Sequence, residues 1–167
     1  MRYLFADRIL QIDAHGAGTI ATSKAFARTE EYFEGTFRPQ GEVPSSLILE
    51  AMATAGSFLL TVKSRYQAHA LLLKVGRAVF RHPVLAGESV VVRSQVMNAQ
   101  GDWSQTDLSA GALGLAEVAA QCFVGAESVA EATLFFVGLP LARTLGPRHG
   151  ELLRGILELL GYTDSRP

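Results

Sequence analysis

Residues 35–56 read GTFRPQGEVPSSLILEAMATAG, and this segment carries the strongest structural signal in the chain. Turn-forming residues crowd its first half, which predicts a loop that ends at Pro44. Apolar residues then favour a long helix from Ser45 to about Arg65, with Ser45 or Ser46 available as the N-cap. A helix this apolar must be covered on nearly all sides, so the rest of the chain is expected to wrap around it.

Glu50 is the one charged side chain in the apolar part of this helix, residues 47–60. A buried carboxylate without a partner is costly, so Glu50 must be paired, protonated or beside a cavity, and we expect it to be at least partly buried. Small polar residues share its stripe on a 3.6-residue period, namely Ser46, Thr54, Ser57 and Thr61. The stripe either faces a tunnel or subunit interface, or has a purely structural role. In the structural case its hydroxyls bond back to helix carbonyls and Glu50 pairs with an arginine from a strand.

Alternating and β-branched patterns predict strands on both sides of the helix. The predicted segments are extended chain within 6–27 around a turn at 13–16, and strands at 70–80, 89–97, 115–124 and 129–137. Short strands, one long helix and a run of antiparallel strands indicate an α+β fold, with a curved antiparallel sheet wrapped around a long central helix. A short amphipathic helix is predicted at 151–160.

The composition fits one compact domain, because 49% of the 167 residues are hydrophobic and 19% are charged. We expect no membrane span, since no apolar run approaches about 18 residues, and the N-terminus lacks a secretory signal pattern. The lone Cys122 fits a buried apolar position in a cytoplasmic protein. No metal-ligand cluster or cofactor motif is evident, so neither is expected.

Residues 51–93 carry six basic side chains against one acidic side chain. This region is either a sheet edge protected by positive charge or a docking patch for an anionic partner. Nucleic acid is not expected, because no aromatic-rich basic motif or helix-turn-helix pattern accompanies the charge.

Three blocks in order along the chain carry a family resemblance. The first is the loop and helix, matched through Gly35, Phe37, Pro44 and LILEAMA at 47–53; the others are AVFRHPVLAGE at 78–88 and VAEATL at 129–134. They resemble the 3-hydroxyacyl-ACP dehydratases of the FabZ and FabA type, which have the hotdog fold. The resemblance implies a hotdog domain over residues 1–140, followed by a tail at 141–167.

The resemblance also implies a site. In the family, a histidine takes the α-proton of a 3-hydroxyacyl thioester, a helix carboxylate helps the hydroxyl leave, and N–H groups at the helix N-terminus polarise the carbonyl. Glu50 stands at the carboxylate position, Ser45 at that of a glycine and Thr36 at that of the histidine. Threonine has no pKa near 7, and losing a general base forfeits about 10²–10⁴-fold in rate.

The expected catalytic positions are therefore Glu50 and the altered Thr36. The expected substrate-binding residues are Phe37, Val43, Pro44, Ser45, Ser46, Leu47 and Thr54, and the expected carrier-binding residues are Lys74, Arg77 and Arg81. The chain's histidines, His15, His69, His82 and His149, are expected at the surface and not as replacements for the missing base. The implied partner is an acyl carrier protein or a coenzyme A thioester, and the implied assembly is a homodimer, a higher homo-oligomer or a heterodimer with a catalytic homologue.

Three functions stay open from the sequence. The first is an acyl-thioester-binding protein of fatty-acid or polyketide-type metabolism that is impaired in dehydration. The second is a thioesterase that uses Glu50, with Thr54 one helical turn later. The third is a non-enzymatic sensing or structural hotdog dimer.

Overall fold

In a computed structural model, one long helix packs against a six-stranded sheet; the structure describes residues 5–30, 33, 41–101, 114–140 and 148–163. The elements are β1 Arg8–Asp13, β2 Thr19–Ala25, α1 Ser45–Lys63, β3 Ala68–Phe80, β4 Ser89–Gln100, β5 Leu115–Val124, β6 Glu127–Pro140 and α2 His149–Leu159. The predicted α+β architecture, a central helix wrapped by an antiparallel sheet, is confirmed.

The sheet has the strand order β1-β2-β4-β5-β6-β3, and every neighbouring pair is antiparallel. The strand predicted to end at residue 97 continues to Gln100, because a register shift between Val96 and Asn98 lets pairing with β5 resume. The turn between β5 and β6 is tighter than predicted. It needs only two residues, and Gly125 there adopts the left-handed φ of +57°.

The core lies between α1 and the inner face of the sheet. Eleven residues of α1 are buried, and the strand residues packed beneath them include Val92, Val118, Leu134 and Phe136. Gly56 lets the ring of Phe136 approach the helix closely, because a Cβ at Gly56 would lie 2.8 Å from Cζ of that ring.

The start of α1 differs from the prediction. Pro44 occupies the N-cap, and no side-chain hydrogen bond caps the helix among the described residues, so the assignment of Ser45 or Ser46 as N-cap was wrong. The carbonyl of Pro44 accepts a hydrogen bond from the Leu47 N–H at 2.9 Å, which starts the helix without a hydroxyl cap. The preceding loop is held by the Val43 N–H, which donates to the Val84 carbonyl at 2.8 Å.

α1 is long and apolar enough to cross a membrane by length and composition alone, so the prediction that no apolar segment reaches this length was wrong. Most of its residues are buried inside the fold. The sheet thus covers the apolar surface of the helix.

Candidate functional site

A cleft opens along one side of α1, and we call it the side cleft. Its volume is about 300 Å³. It is lined by Phe5, Glu50, Ala53, Thr54, Ser57, Phe58, His69, Ala70, Leu71, Leu72, Phe136, Leu153 and Ile156. Four of these side chains are polar and the others are apolar, which is the usual composition of a site that buries an apolar ligand and orients it with a few polar groups.

Glu50 is the residue nearest the start of α1 that lines the side cleft. It is exposed in the isolated chain, so the expectation that it is at least partly buried was wrong. The helix pattern shows which residues share the face of Glu50 but not whether another element covers that face. Glu50 forms no ion pair with an arginine among the described residues.

The polar stripe becomes more buried toward the end of α1. Ser46 and Glu50 are exposed, Thr54 and Ser57 are partly buried, and Thr61 is 1% exposed. The hydroxyl of Ser57 donates to the Ala70 carbonyl of β3 at 2.7 Å rather than to a carbonyl of its own helix. This hydrogen bond joins the stripe to β3, and both of its residues line the side cleft.

A second cavity of about 230 Å³ lies at the N-terminus of α1, and we call it the N-terminal pocket. Among the predicted site residues, Val43, Ser45 and Arg81 line it. At 3.6 residues per turn, Ser45 and Glu50 lie about 140° apart around the helix, so they face different cavities. The structure of one chain therefore divides the predicted site in two.

The other predicted binding residues lie around the start of α1. Pro44 is its N-cap, Ser46 is exposed, and Leu47 packs against the core. Thr36 and Phe37, the altered catalytic position and its neighbour, lie outside the described residues.

His69 lines the side cleft, so the prediction that all four histidines lie at the surface was wrong for this residue. Its Nδ1 is buried and has no hydrogen-bond partner among the described residues. Burial, and secondly the ring of His149 at a centroid distance of 6.1 Å, lower the pKa of His69, which favours the neutral ring at pH 7.

The position of His69 argues against a joint action with Glu50 of the same chain. His69 precedes Ala70, which is bonded to Ser57, and Ser57 lies seven residues beyond Glu50 along α1. Seven residues of helix span about 10 Å. An acid and a base that act on neighbouring carbons must both come within hydrogen-bonding reach of the substrate, so these two residues serve different ends of the cleft.

The three predicted carrier-binding residues lie on or just after β3. Arg77 and Arg81 share the carboxylate of Glu131, at 3.1 and 2.9 Å, and the Nζ of Lys74 lies 4.6 Å from the centre of the Phe135 ring. One carboxylate thus offsets part of the charge, and the remaining positive charge sits on exposed side chains at the edge of the sheet.

The model of the FabA-like domain matches residues 1–133. The chain belongs to the FabA-like family. Among its relatives, a 3-hydroxyacyl-[acyl-carrier-protein] dehydratase FabZ from Protochlamydia amoebophila is 32% identical over 135 residues, which cover 81% of this chain and 79% of the relative. A FabZ from Chlamydia muridarum is 31% identical, covering 81% of this chain and 82% of that one.

Solved structures support the fold of this FabA-like protein. A thioesterase from Haemophilus influenzae matches with a TM-score of 0.56 at 14% identity, covering 81% of each chain. A conserved protein from Pseudomonas aeruginosa matches with a TM-score of 0.58 at 14% identity, covering 79% of this chain and 87% of that one. At these identities the likeness concerns the hotdog fold and not the chemistry.

Sequence reasoning missed most of the residues that line the side cleft, including His69 and two residues of α2. Leu153 and Ile156 come from α2, which lies beyond the residues matched by the FabA-like model. The amphipathic pattern of the tail was visible and predicted a packed helix, but it did not show where the helix would pack. His69 gave no local signal, because it stands where α1 has ended and β3 begins.

Proposed function

We propose that this protein binds acyl thioesters in the side cleft, with Glu50 as the polar group beside the thioester, and that it is impaired in dehydration. The observation that supports the proposal is the arrangement of the side cleft, in which Glu50 stands at one end of a mostly apolar wall. Membership of the FabA-like family, and the substrate class named for its FabZ relatives, agree with this ligand. The proposed setting is fatty-acid or polyketide-type metabolism in the cytoplasm.

The proposed impairment follows from Thr36. Dehydration of a 3-hydroxyacyl thioester removes a proton from Cα and the hydroxyl from Cβ as water, so it needs a base and an acid on adjacent carbons. Glu50 supplies one of these groups. The threonine hydroxyl can orient a ligand but cannot accept the Cα proton near pH 7, and His69 lies at the other end of the cleft.

A hydration assay tests this proposal. Wild type, Thr36→His and the matched Thr36→Ser are given a crotonyl thioester, and loss of the enoyl absorbance is followed. We expect Thr36→His to gain about 10²-fold or more over the other two proteins, because it restores the base. Wild-type activity equal to that of Thr36→His would refute the impairment.

Thioester hydrolysis is a second candidate, and one observation favours it. Glu50 and Thr54 lie one helical turn apart and both line the side cleft. In this reaction Glu50 would take a proton from water as the hydroxide adds to the thioester carbonyl. The C–S bond would then break and Glu50 would return the proton to the leaving sulfur, which gives a carboxylic acid and a thiol. Thiol release from a panel of acyl-coenzyme A substrates tests it, and a Glu50→Gln variant as active as wild type would eliminate it.

We also propose that two chains pair through β3, either two copies of this chain or this chain and a catalytic homologue. β3 is the last strand of the sheet, and no described strand pairs with its outer edge. Leu71, Leu72, Leu73 and Val75 expose 37–58% of their surface along it. An unpaired edge this long and apolar aggregates unless it is covered, and a second β3 would cover it while bringing a partner toward the exposed Glu50.

A further inference from the structure

We propose that the C-terminal helix α2 forms the end wall of the side cleft and limits the bound acyl group to about six to ten carbons. This inference rests on the proposed function, because it names the class of acyl thioester that the same cleft accepts. Two side chains of α2, Leu153 and Ile156, line the cleft together with Glu50.

α2 is a fixed part of the fold. Leu153 and Leu157 are 5% and 0% exposed, so its apolar face is buried. At its C-terminal end, the Ile9 N–H donates to the Leu160 carbonyl at 2.7 Å. At the first residue of α2 the ring of His149 lies 6.1 Å from that of His69, and at the middle of α2 the guanidinium of Arg154 lies 4.9 Å from the centre of the Tyr66 ring. A helix held along its whole length acts as a wall and not as a loose tail.

The contacts of α2 also show which end of the cleft it closes. Its first residue, His149, lies beside His69, and Arg154 lies over Tyr66. Both partners follow the end of α1 at Lys63, whereas Glu50 lies in the second turn of that helix. α2 therefore stands at the end of the cleft away from Glu50, where the tail of an acyl chain would arrive if its thioester lay beside Glu50.

Two size estimates agree on the length of that chain. The volume of about 300 Å³ holds about ten groups of the size of a water molecule or a methylene. The distance from Glu50 to the level of Ser57 is about 10 Å along the helix. An extended chain advances about 1.2 Å per bond, so eight or nine bonds cover this distance. A medium-length acyl chain fills the cleft, and a longer chain meets Ile156 and Leu153.

This wall lies outside the part of the chain that resembles the family, since the FabA-like match ends at residue 133. Chain-length preference therefore cannot be transferred from the relatives to this protein. It depends on residues that belong to the tail.

The test is a binding profile measured by calorimetry with butyryl-, octanoyl-, dodecanoyl- and palmitoyl-coenzyme A. We expect wild type to bind octanoyl-coenzyme A about tenfold or more tightly than palmitoyl-coenzyme A. Ile156→Ala removes three carbons from the wall, so it should improve dodecanoyl-coenzyme A binding by about tenfold, as burial of roughly two more methylenes predicts. Ile156→Phe should shift the preference toward butyryl-coenzyme A.

Leu159→Ala is the matched control, because Leu159 lies on the same helix but is 88% exposed. Its profile should equal that of wild type. Ile156→Val is a smaller change that keeps the test valid if Ile156→Ala fails to fold. Like Ile156→Ala, it should shift the binding preference toward longer chains, but by a smaller amount. If acyl-coenzyme A binds but the Ile156 variants keep the wild-type profile, α2 is not the end wall. If none of the proteins binds any of the four ligands, the proposed function itself fails, and the inference with it.

Discussion

Gly56→Ala is expected to destabilise the protein, although alanine is a better helix former than glycine. A Cβ at this position would lie 2.8 and 3.0 Å from Cζ and Cε2 of Phe136, and 3.5 Å from Cγ1 of Val118. Phe136 is 1% exposed, so its ring has little room to move away. Overpacking of this kind costs about 1–3 kcal/mol, whereas the gain in helix propensity is about 1 kcal/mol. The net loss is about 1 kcal/mol.

Gly155→Ala provides the matched control. Gly155 lies within α2, and a Cβ there would meet nothing within 4 Å. The same chemical change should therefore stabilise the protein by about 0.5–1 kcal/mol. For a chain of this size, 1 kcal/mol corresponds to about 2–4 °C in Tm, so the two variants should move Tm in opposite directions by a few degrees each.

Thermal and urea unfolding followed by circular dichroism measure both effects. A double variant, Gly56→Ala with Phe136→Leu, should recover part of the loss, because the smaller side chain makes room for the new methyl group. The coupling between the two sites should then be about 1 kcal/mol in a double-mutant cycle. A Gly56→Ala protein as stabilised as Gly155→Ala would refute the close approach of the Phe136 ring to α1.

Three further predictions concern the sheet. Leu73→Lys, at the centre of the exposed edge of β3, should convert dimer to monomer in sedimentation analysis, while Met97→Lys, on the interior strand β4, should leave the assembly unchanged. A dimer that survives Leu73→Lys would argue against pairing through β3. Glu131→Gln releases Arg77 and Arg81, which share this carboxylate, so the affinity for an anionic acyl carrier protein should rise severalfold and become more sensitive to salt. Affinities equal to those of wild type at two ionic strengths would show that these arginines do not bind the carrier. Burial raises the pKa of Cys122 to about 12, above the value near 9 in an unfolded chain, so the free energy of unfolding should fall as pH rises from about 9 toward 12. Iodoacetamide should label the thiol in urea but not in the native protein, and rapid labelling of the native protein would show that the thiol is accessible.

The architecture was predictable because its signals are periodic. The apolar run after Pro44 predicted α1 to within two residues at its end, and the alternating pattern at 115–124 gave the bounds of β5. Boundaries set by tertiary pairing were less predictable. β4 extends to Gln100 because its pairing with β5 resumes after a register shift, and no residue type signals this in the sequence.

The candidate site was predictable only as a set of residues on α1. Glu50 and Thr54 do share the side cleft, as the 3.6-residue stripe requires. The sequence did not show that Ser45 and Glu50 face different cavities, because the family resemblance combined these two positions into one motif. Nor did it show that Ile156 lines the same cleft as Glu50, since the two residues are about a hundred positions apart in the chain.

The position of β3 in the sheet has a consequence during synthesis. Its described partner is β6, which begins at Glu127, 47 residues after β3 ends at Phe80. At about 5–20 residues per second, the ribosome needs roughly 2–10 s to supply this partner. During that interval the leucines of β3 are exposed on a nascent chain, and Lys74, between Leu73 and Val75, is the charge that interrupts them. Replacing Lys74 with an apolar residue would therefore reduce the yield of soluble protein more than it reduces the stability of the folded chain.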